Sequence, residues 1–463
     1  MIYLKSKKFF YFLFYNLFIM ILSFKVKNYL SFKDNAWFSM EANKKIRNLP
    51  ENKNIVKLKD WENLWLLKTA IFYGANASWK TNILKWLDFL KYITLNSFWF
   101  AIEWWIKNEL LKREKTQWIR FFLDKFLLDE DSQKENIDFE IEFLIDKEKY
   151  KYFLRLNEEK ILKEKLSFFQ KDKEIVIINR QITKWVLEET YFWFKDEDFE
   201  KLNLFPRNNQ TFVSLLADRD SKWKFLATKI IKFFRWINFI DSRVDLSSFS
   251  IPMLEKEETK ESILNFIKSA DINIEDIKQE ERDYNDDDWV IILKNWQRFI
   301  PKKVLELNFI HPVYKNEKKV WNIWFNLEKQ ESLWTKKLFW LIWIILQTIQ
   351  NNWILLIDEV DTHMHFLLIE NLIKVIHWLN NNLKNNIWNS QFIFNTHNLD
   401  LMDLELFRKD QIYFTSKNHY WATEIYSLDD FKDMQIRNNS DIKKAYKLWS
   451  FWAIPILFDF NLE

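Results

Sequence analysis

Two hydrophobic periods alternate along this chain. Ile21–Tyr29 (ILSFKVKNY) has the two-residue period of a strand, and Leu30, Ser31 and Phe32 read as its continuation. Lys68–Tyr73 (KTAIFY) is a short apolar run followed by a glycine, the pattern of a buried strand. Over Lys80–Ile93 the apolar residues Ile83, Leu84, Leu87, Leu90 and Ile93 recur at the spacing of a helix with one buried face. Alternation returns at Phe139–Ile145, Tyr150–Leu156 and Glu174–Ile178, which predicts antiparallel strands. Residues 195–280 read as mostly helical, Ser262–Ile267 among them, and residues 281–288 (ERDYNDDD) as an acidic solvated loop. Beyond it the pattern predicts strands at Val290–Leu293 and Trp321–Leu327, a helix at Thr335–Ile349 and a strand at Ile354–Ile357. A helix at Phe366–Leu379, an Asn-rich loop over 379–389 and a strand at Gln391–Asn395 follow. Strands alternating with helices argue for an α/β protein with a doubly wound sheet, split by an insertion. No internal repeat or long heptad array interrupts this order.

The first residues need separate treatment. Lys5, Lys7 and Lys8 precede the apolar run Phe9–Phe24, which is short for a membrane span and is followed by no small-residue cleavage site. A second methionine, Met20, stands directly before the alternating segment. The preferred reading is a start at Met20, with residues 1–19 as upstream translation; a membrane anchor is the alternative. The expected organisation is 20–94 as the first part of a head, 95–305 as a β-rich then helical insertion, and 306–463 as the second part of the head.

Composition changes how every turn is read. The 463 residues include 1 Gly and 26 Trp. Average usage of about 7% glycine would give roughly 32 in a chain of this length. Tight turns, helix ends and phosphate loops need a residue without a Cβ. Some bacteria decode UGA as glycine, whereas another translation table reads it as tryptophan; most of these tryptophans are therefore read here as glycines. Trp79, Trp334, Trp353, Trp421 and Trp449 stand where a turn or phosphate contact wants glycine, and Trp104-Trp105 and Asn295-Trp296 read as Gly-Gly and Asn-Gly turns. The formal net charge of +3 gives no global basic field that would signal nucleic acid. Zero Cys excludes disulfides, zinc thiolates and cysteine nucleophiles, and fits a cytoplasmic protein.

Four motifs carry chemistry. Gly74, Ala75, Asn76, Ala77, Ser78, Trp79, Lys80 and Thr81 become G-x-x-x-x-G-K-T when residue 79 is glycine, between a predicted strand and a predicted helix. In such a loop backbone N–H groups cradle phosphate, Lys80 reaches the β- and γ-phosphates and Thr81 ligates Mg²⁺. Read literally, an indole at 79 fills the phosphate site and leaves the chain inactive. Ile354–Ile357 followed by Asp358 and Glu359 is an apolar strand ending in two acids, which assigns Mg²⁺ to Asp358 and the attacking water to Glu359. Glu331, Ser332, Leu333, Trp334 and Thr335 read as E-S-L-G-T at a helix start, where Ser332 serves equally as a cap. Phe392–Asn395 leads into Thr396 and His397 at a strand end, placing His397 to sense or position the γ-phosphate and the water. Glu359, His363 and His365 are not read as a metal cluster.

From Met20 to about Pro455 the chain resembles bacterial AAA/ABC-type ATP-binding proteins of the abortive-infection and OLD-like group, relatives of SMC heads. The resemblance rests on Asn28–Lys33, GANASWKTN (74–82), ESLWTKKLF (331–339), LLIDEVDTHMH (355–365), QFIFNTHN (391–398), RKDQIYF (408–414) and YKLWSFWAIP (446–455). It implies a P-loop NTPase of ABC-ATPase type with a split head, ATP and Mg²⁺ as cofactors, and Asn82 and the D-loop residue Asp361 at the site. It also implies a homodimer in which Ser332, Trp334 and Thr335 of one subunit complete the ATP site of the other. Phe366 departs from the family's usual proline, the insertion matches loosely, and no Q-loop glutamine is placed. The resemblance further implies an ATP-dependent switch in phage defence, acting through the insertion, DNA or a separately encoded toxin or nuclease. Competing classes are an SMC-like DNA-repair head, an ABC-transporter nucleotide-binding subunit and a non-hydrolysing nucleotide sensor. The long insertion and lack of spans oppose the transporter, and intact Lys80, Asp358 and Glu359 oppose the sensor.

Mass spectrometry of the native protein is expected to find glycine at 79, 334 and 449. Peptides carrying tryptophan at those positions would refute the recoding.

Overall fold

The computed structural model describes residues 18–46, 54–58, 64–75, 79–111, 124–170, 173–183, 186–192, 209–218, 224–241, 257–269, 273–283, 291–292, 298–299, 303–362, 364–382, 389–431 and 439–448. They fall into two compact units. The first covers Met1–Ser242, Thr348–Thr362 and Ile369–Glu463; the second covers Arg243–Gln347 and His363–Leu368.

The first unit contains two principal sheets. One is antiparallel, built from β1 (Ile19–Lys27), β2 (Ala36–Ser39), β6 (Ile137–Ile145), β7 (Glu148–Leu156), β8 (Ile161–Gln170), β9 (Lys173–Thr183) and β10 (Val186–Phe192), in the order β10-β9-β8-β7-β6-β1-β2. Its alternation is the expected one. Ile137, Phe139, Ile141 and Phe143 of β6 are buried, and the intervening Asp138, Glu140 and Glu142 face cross-strand cations: Arg155, Lys25 and Lys151, and Lys149. Phe233 of the helix Lys224–Arg235 stacks on Phe143 at 4.0 Å between ring centroids. A short hairpin of β3 (Ile55–Leu58) and β4 (Leu64–Leu67) accompanies this sheet.

The second sheet is built from β5 (Thr69–Gly74), β11 (Ile237–Ile240), β17 (Ile354–Ile357), β18 (Gln391–Asn395), β19 (Ile412–Lys417) and β20 (Thr423–Ser427), in the order β11-β17-β18-β5-β19-β20. All neighbours are parallel except β19 and β20. Every residue of β5, β17 and β18 is buried, which explains why these strands read as continuous apolar runs. Gln391 ties the sheets together: its side chain accepts from Ile21 N–H at 2.6 Å and donates to Ile21 O and Leu67 O, both at 3.0 Å.

The second unit holds β12 (Asp276–Asp283), β15 (Lys303–Lys315) and β16 (Lys318–Asn326) as an antiparallel sheet, with the small pair β13 (Ile291–Ile292) and β14 (Arg298–Phe299). Phe309 of β15 packs edge-on against Phe339 of the helix Leu333–Asn351.

Several expectations change. Residues 30–32 do not extend β1: Tyr29 and Phe32 bridge across a tight turn with Asn28 (φ 56°) and Leu30 (φ 52°) in the left-handed region. The apolarity of Ile19–Phe24 comes from sheet burial, since Ile19 and Met20 pair with Ile145 and Leu144. No helix among the described residues is long and apolar enough to cross a membrane. β11, inside the segment read as an insertion, belongs to the parallel sheet beside β17. β12 likewise replaces helix at 276–280, and it runs into the first residues of the expected acidic loop. Residues 284–288 lie outside the described residues, as do Trp296 and Trp449. The helix from Lys80 runs to Leu111 and carries Trp104 and Trp105, so they are not a turn in the chain as written. Indoles propagate a helix at less cost than glycine, which is about 1 kcal/mol worse than alanine. Trp353 lacks the left-handed backbone; Asn352 takes it (φ 55°) and ends the helix Leu333–Asn351. Trp421 does have it (φ 63°), closing the β19–β20 turn with its N–H on Asn418 O at 2.9 Å. The indole N–H groups of Trp86 and Trp340 are buried without a hydrogen-bond partner among the described residues. Buried tryptophans normally find one.

Gln391→Leu is expected to destabilise the protein by about 2–4 kcal/mol, because three buried backbone groups lose their partner. A denaturation midpoint equal to wild type would refute the tie.

Candidate functional site

The parallel register builds the site. Phe72 pairs with Asn395 and Ile357 with Phe394, so the C-terminal ends of β5, β18 and β17 lie at one edge of the sheet. The segments leaving that edge are the glycine-lysine loop, the Thr396–His397 segment and the Asp358–Glu359 pair. Ligand sites on open α/β sheets form at this edge.

Lys80 is buried at the start of its helix. Its Nζ donates to Gly74 O at 2.7 Å and Ala75 O at 3.4 Å, and lies 3.2 Å from His397 Nδ1. Burial pushes the Lys80 ammonium down to about 8, although Asp361, Glu359 and Asp358 oppose the shift. Burial, then the Lys80 charge, lowers His397. An ammonium can only donate, so His397 Nδ1 accepts and the imidazole is neutral in this pair.

Thr81 Oγ1 donates to Asp358 Oδ1 at 2.9 Å. Burial raises Asp358, opposed by hydrogen bonds from Asn395 and Thr81. A hydroxyl at a helix start and a carboxylate at a strand end are oxygen donors of the kind Mg²⁺ takes beside phosphates. Among the described residues no group of three or more His, Cys, Asp or Glu could hold a metal, and His363 lies outside the described residues. Glu359 sits in the left-handed region at φ 48°, a conformation that costs about 1–3 kcal/mol and concentrates at functional sites. Asn395 holds it there: its side chain accepts from Glu359 N–H and donates to Asp358 Oδ1. Thr362 Oγ1 donates to Glu359 Oε2 at 3.1 Å. Asp361 accepts from His397 N–H at 3.3 Å. Asn395 was legible only as part of the strand before His397. Its bridging role depends on the β17–β18 register, which no linear pattern contains.

Trp79 has φ 56°, the backbone region that favours glycine, and its O accepts from Asn82 N–H at 2.8 Å. Asn82 Nδ2 donates to Ser31 Oγ at 3.0 Å. Asn76, Ala77 and Ser78 lie outside the described residues. Lys80, Thr81 and Asp358 are side chains of the kind that would hold phosphate and Mg²⁺, and the left-handed backbone at 79 is one that glycine takes without strain. Ser332, Trp334 and Thr335 belong to the other compact unit. There Ser332 is exposed and its Oγ accepts from Thr335 N–H at 3.1 Å, which makes it the cap of the helix Leu333–Asn351. Glu331 is held by His311, Oε1 to Nε2, at 2.7 Å.

A buried parallel sheet whose edge joins a lysine-threonine loop, an acid pair and a histidine defines a P-loop NTPase of the AAA/ABC type. The family model described as "AAA domain, putative AbiEii toxin, Type IV TA system" matches residues 70–403, and the chain belongs to that AAA-domain family. No curated protein matches the chain. Among solved structures it is similar to the SMC head domain from Thermotoga maritima, at 11% identity over 88% of this chain and 98% of that one, with a TM-score of 0.37. It is also similar to an SmcHead bound to the C-winged helix domain of ScpA, at 12% identity over 90% and 99%, with a TM-score of 0.37. A third is an Smc head with an extended coiled coil bound to the C-terminal domain of ScpA, from Pyrococcus furiosus, at 11% identity over 93% and 99%, again with a TM-score of 0.37.

Asn395→Ala, in protein with glycine at 79, is expected to lower kcat by about 10–100-fold while ATP affinity stays within about threefold, as for residues that orient a reacting group. Unchanged kcat would show that Glu359 needs no support from Asn395.

Proposed function

We propose that the chain is a cytoplasmic ATP-hydrolysing switch that dimerises around ATP and acts in phage defence with a separately encoded toxin or nuclease effector. The observation that carries the proposal is the convergence of Lys80, Thr81, Asp358, Glu359 and His397 at one edge of the parallel sheet. The family's description as a toxin of a type IV TA system supports the defence role.

Bound Mg²⁺–ATP supplies the phosphoanhydride and the metal charge. Lys80 exchanges its loop carbonyls and His397 for phosphate oxygens, and its lowered affinity for a proton is restored by that anion. Thr81 and Asp358 would hold the metal. Glu359 orients a water and accepts its proton. His397, released from Lys80, donates through its ring N–H toward the terminal phosphate. Ser332 at its exposed helix start supplies a hydroxyl and backbone N–H groups to the site of a second copy.

The test separates binding from hydrolysis in protein with glycine at 79. Glu359→Gln should bind ATP, fail to hydrolyse it and accumulate as a stable dimer by light scattering, because the amide cannot accept the proton. Lys80→Ala should lose nucleotide binding and the dimer. A Ser332→Ala head should bind ATP yet not close. A Glu359→Gln protein that stays monomeric at saturating ATP would overturn the shared-site mechanism.

A further inference from the structure

We propose that Lys417 is a nucleotide-binding residue that holds the α-phosphate, on the side of the site opposite the catalytic acids. The proposal rests on the reading of the site as an ATP site and assigns it a further residue.

The sheet order sets the direction in which a nucleotide must lie. β5 runs between β18 and β19. Asp358, Glu359, Asp361 and His397 all follow β17 and β18, on one side of β5. The phosphate that is cleaved therefore points toward β18. The rest of the nucleotide extends the other way, toward β19. β19 is parallel to β5 with Thr415 opposite Gly74, so Lys417 lies two residues, about 7 Å, beyond the end of β5, level with the phosphate loop. Tyr413, on the same strand face as Lys417, stacks on Phe72 and meets Phe38. It shares a core cluster with Ile83 and Leu84 of the helix that Lys80 starts. Lys417 is thus on the side of the sheet that carries that helix.

The Lys417 Nζ lies 4.6 Å from the ring centroid of Trp79 and 4.4 Å from that of Trp421. Those two residues have φ of 56° and 63°, and among the described tryptophans they are the ones whose backbone lies in the region that favours glycine. With glycine at both, the two rings vanish and the face of the ammonium that they cover opens to a ligand. Among the described residues it has no carboxylate partner, and partial burial lowers its affinity for a proton. An ammonium with no carboxylate partner among the described residues, close to residue 79 and two residues past the position opposite Gly74, is matched by a phosphate oxygen.

The experiment uses the full chain with glycine at 79 and 421. Lys417→Met, Lys417→Gln and Lys417→Arg are compared with wild type and Lys80→Ala for ATP and ADP affinity by calorimetry, for steady-state kinetics, and for thermal midpoint. Lys417→Met and Lys417→Gln should raise Kd for both ATP and ADP, and KM for ATP, by about 10–100-fold, as for a lost charge-assisted hydrogen bond. Their kcat should stay within about twofold, and Lys417→Arg should restore most of the affinity. Two folded variants with wild-type Kd overturn the proposal, as does a loss confined to kcat or a loss for ATP without one for ADP. If Lys80→Ala binds nucleotide as wild type does, or wild type binds none, the ATP-site reading itself has failed.

Discussion

The parallel register of β5, β18 and β17 is the constraint on which the site depends. Three fully buried strands are fixed by their ladder pairing and by the packing on both faces, and a one-residue shift would carry Phe72, Phe394 and Ile357 into packing shaped for other side chains. That register puts Gly74, Thr396 and Asp358 at a common edge and lets Asn395 bridge Asp358 and Glu359. Gln391, at the other end of β18, locks the same strand to β1 through buried backbone groups. One short strand therefore fixes both the catalytic edge and the junction between the two sheets.

The site is a group of charges held in partial burial. The Lys80 ammonium is pushed down to about 8, His397 is lowered and Asp358 is raised, each with burial as the leading cause. An anion and a divalent cation at this edge would reverse each of those shifts. The left-handed backbone at Glu359 has a similar character: it is tolerated because the Asn395 amide and Thr362 hydroxyl hold the residue in place.

The tryptophans expose a conflict between side chain and backbone. At 79 and 421 the backbone adopts left-handed angles, which cost a residue with a Cβ about 1–2 kcal/mol. At 86 and 340 an indole is buried with its N–H unpartnered. The backbone at 79 and 421 fits glycine better than tryptophan, whereas Trp86 and Trp340 lie within helices and pack against core rings, so only their unpartnered N–H is out of place. Trp353 and the Trp104-Trp105 pair give no such sign, since Asn352 supplies the turn and a helix runs through 104–105. Recoding thus finds support at particular positions, where phosphate loop and hairpin geometry demand it.

The linear chain determined most of the central sheet by itself. Ile354–Ile357 and Gln391–Asn395 appear as strands with the boundaries read from their apolar runs, because a strand buried on both faces leaves no polar position to blur its ends. Lys80, Thr81, Asp358, Glu359 and His397 were legible as well, since each directly follows such a strand or opens the helix behind it. Tertiary structure decided what depends on non-local pairing. β11 joined the parallel sheet although its four residues carry no period long enough to separate strand from helix. The turn at Asn28–Phe32 formed where local alternation predicted more strand, because Asn28 donates to Ser132 O and accepts from Phe126 N–H, partners about a hundred residues away. Asn395 and Lys417 acquired their places only through the neighbours that strand register set beside them.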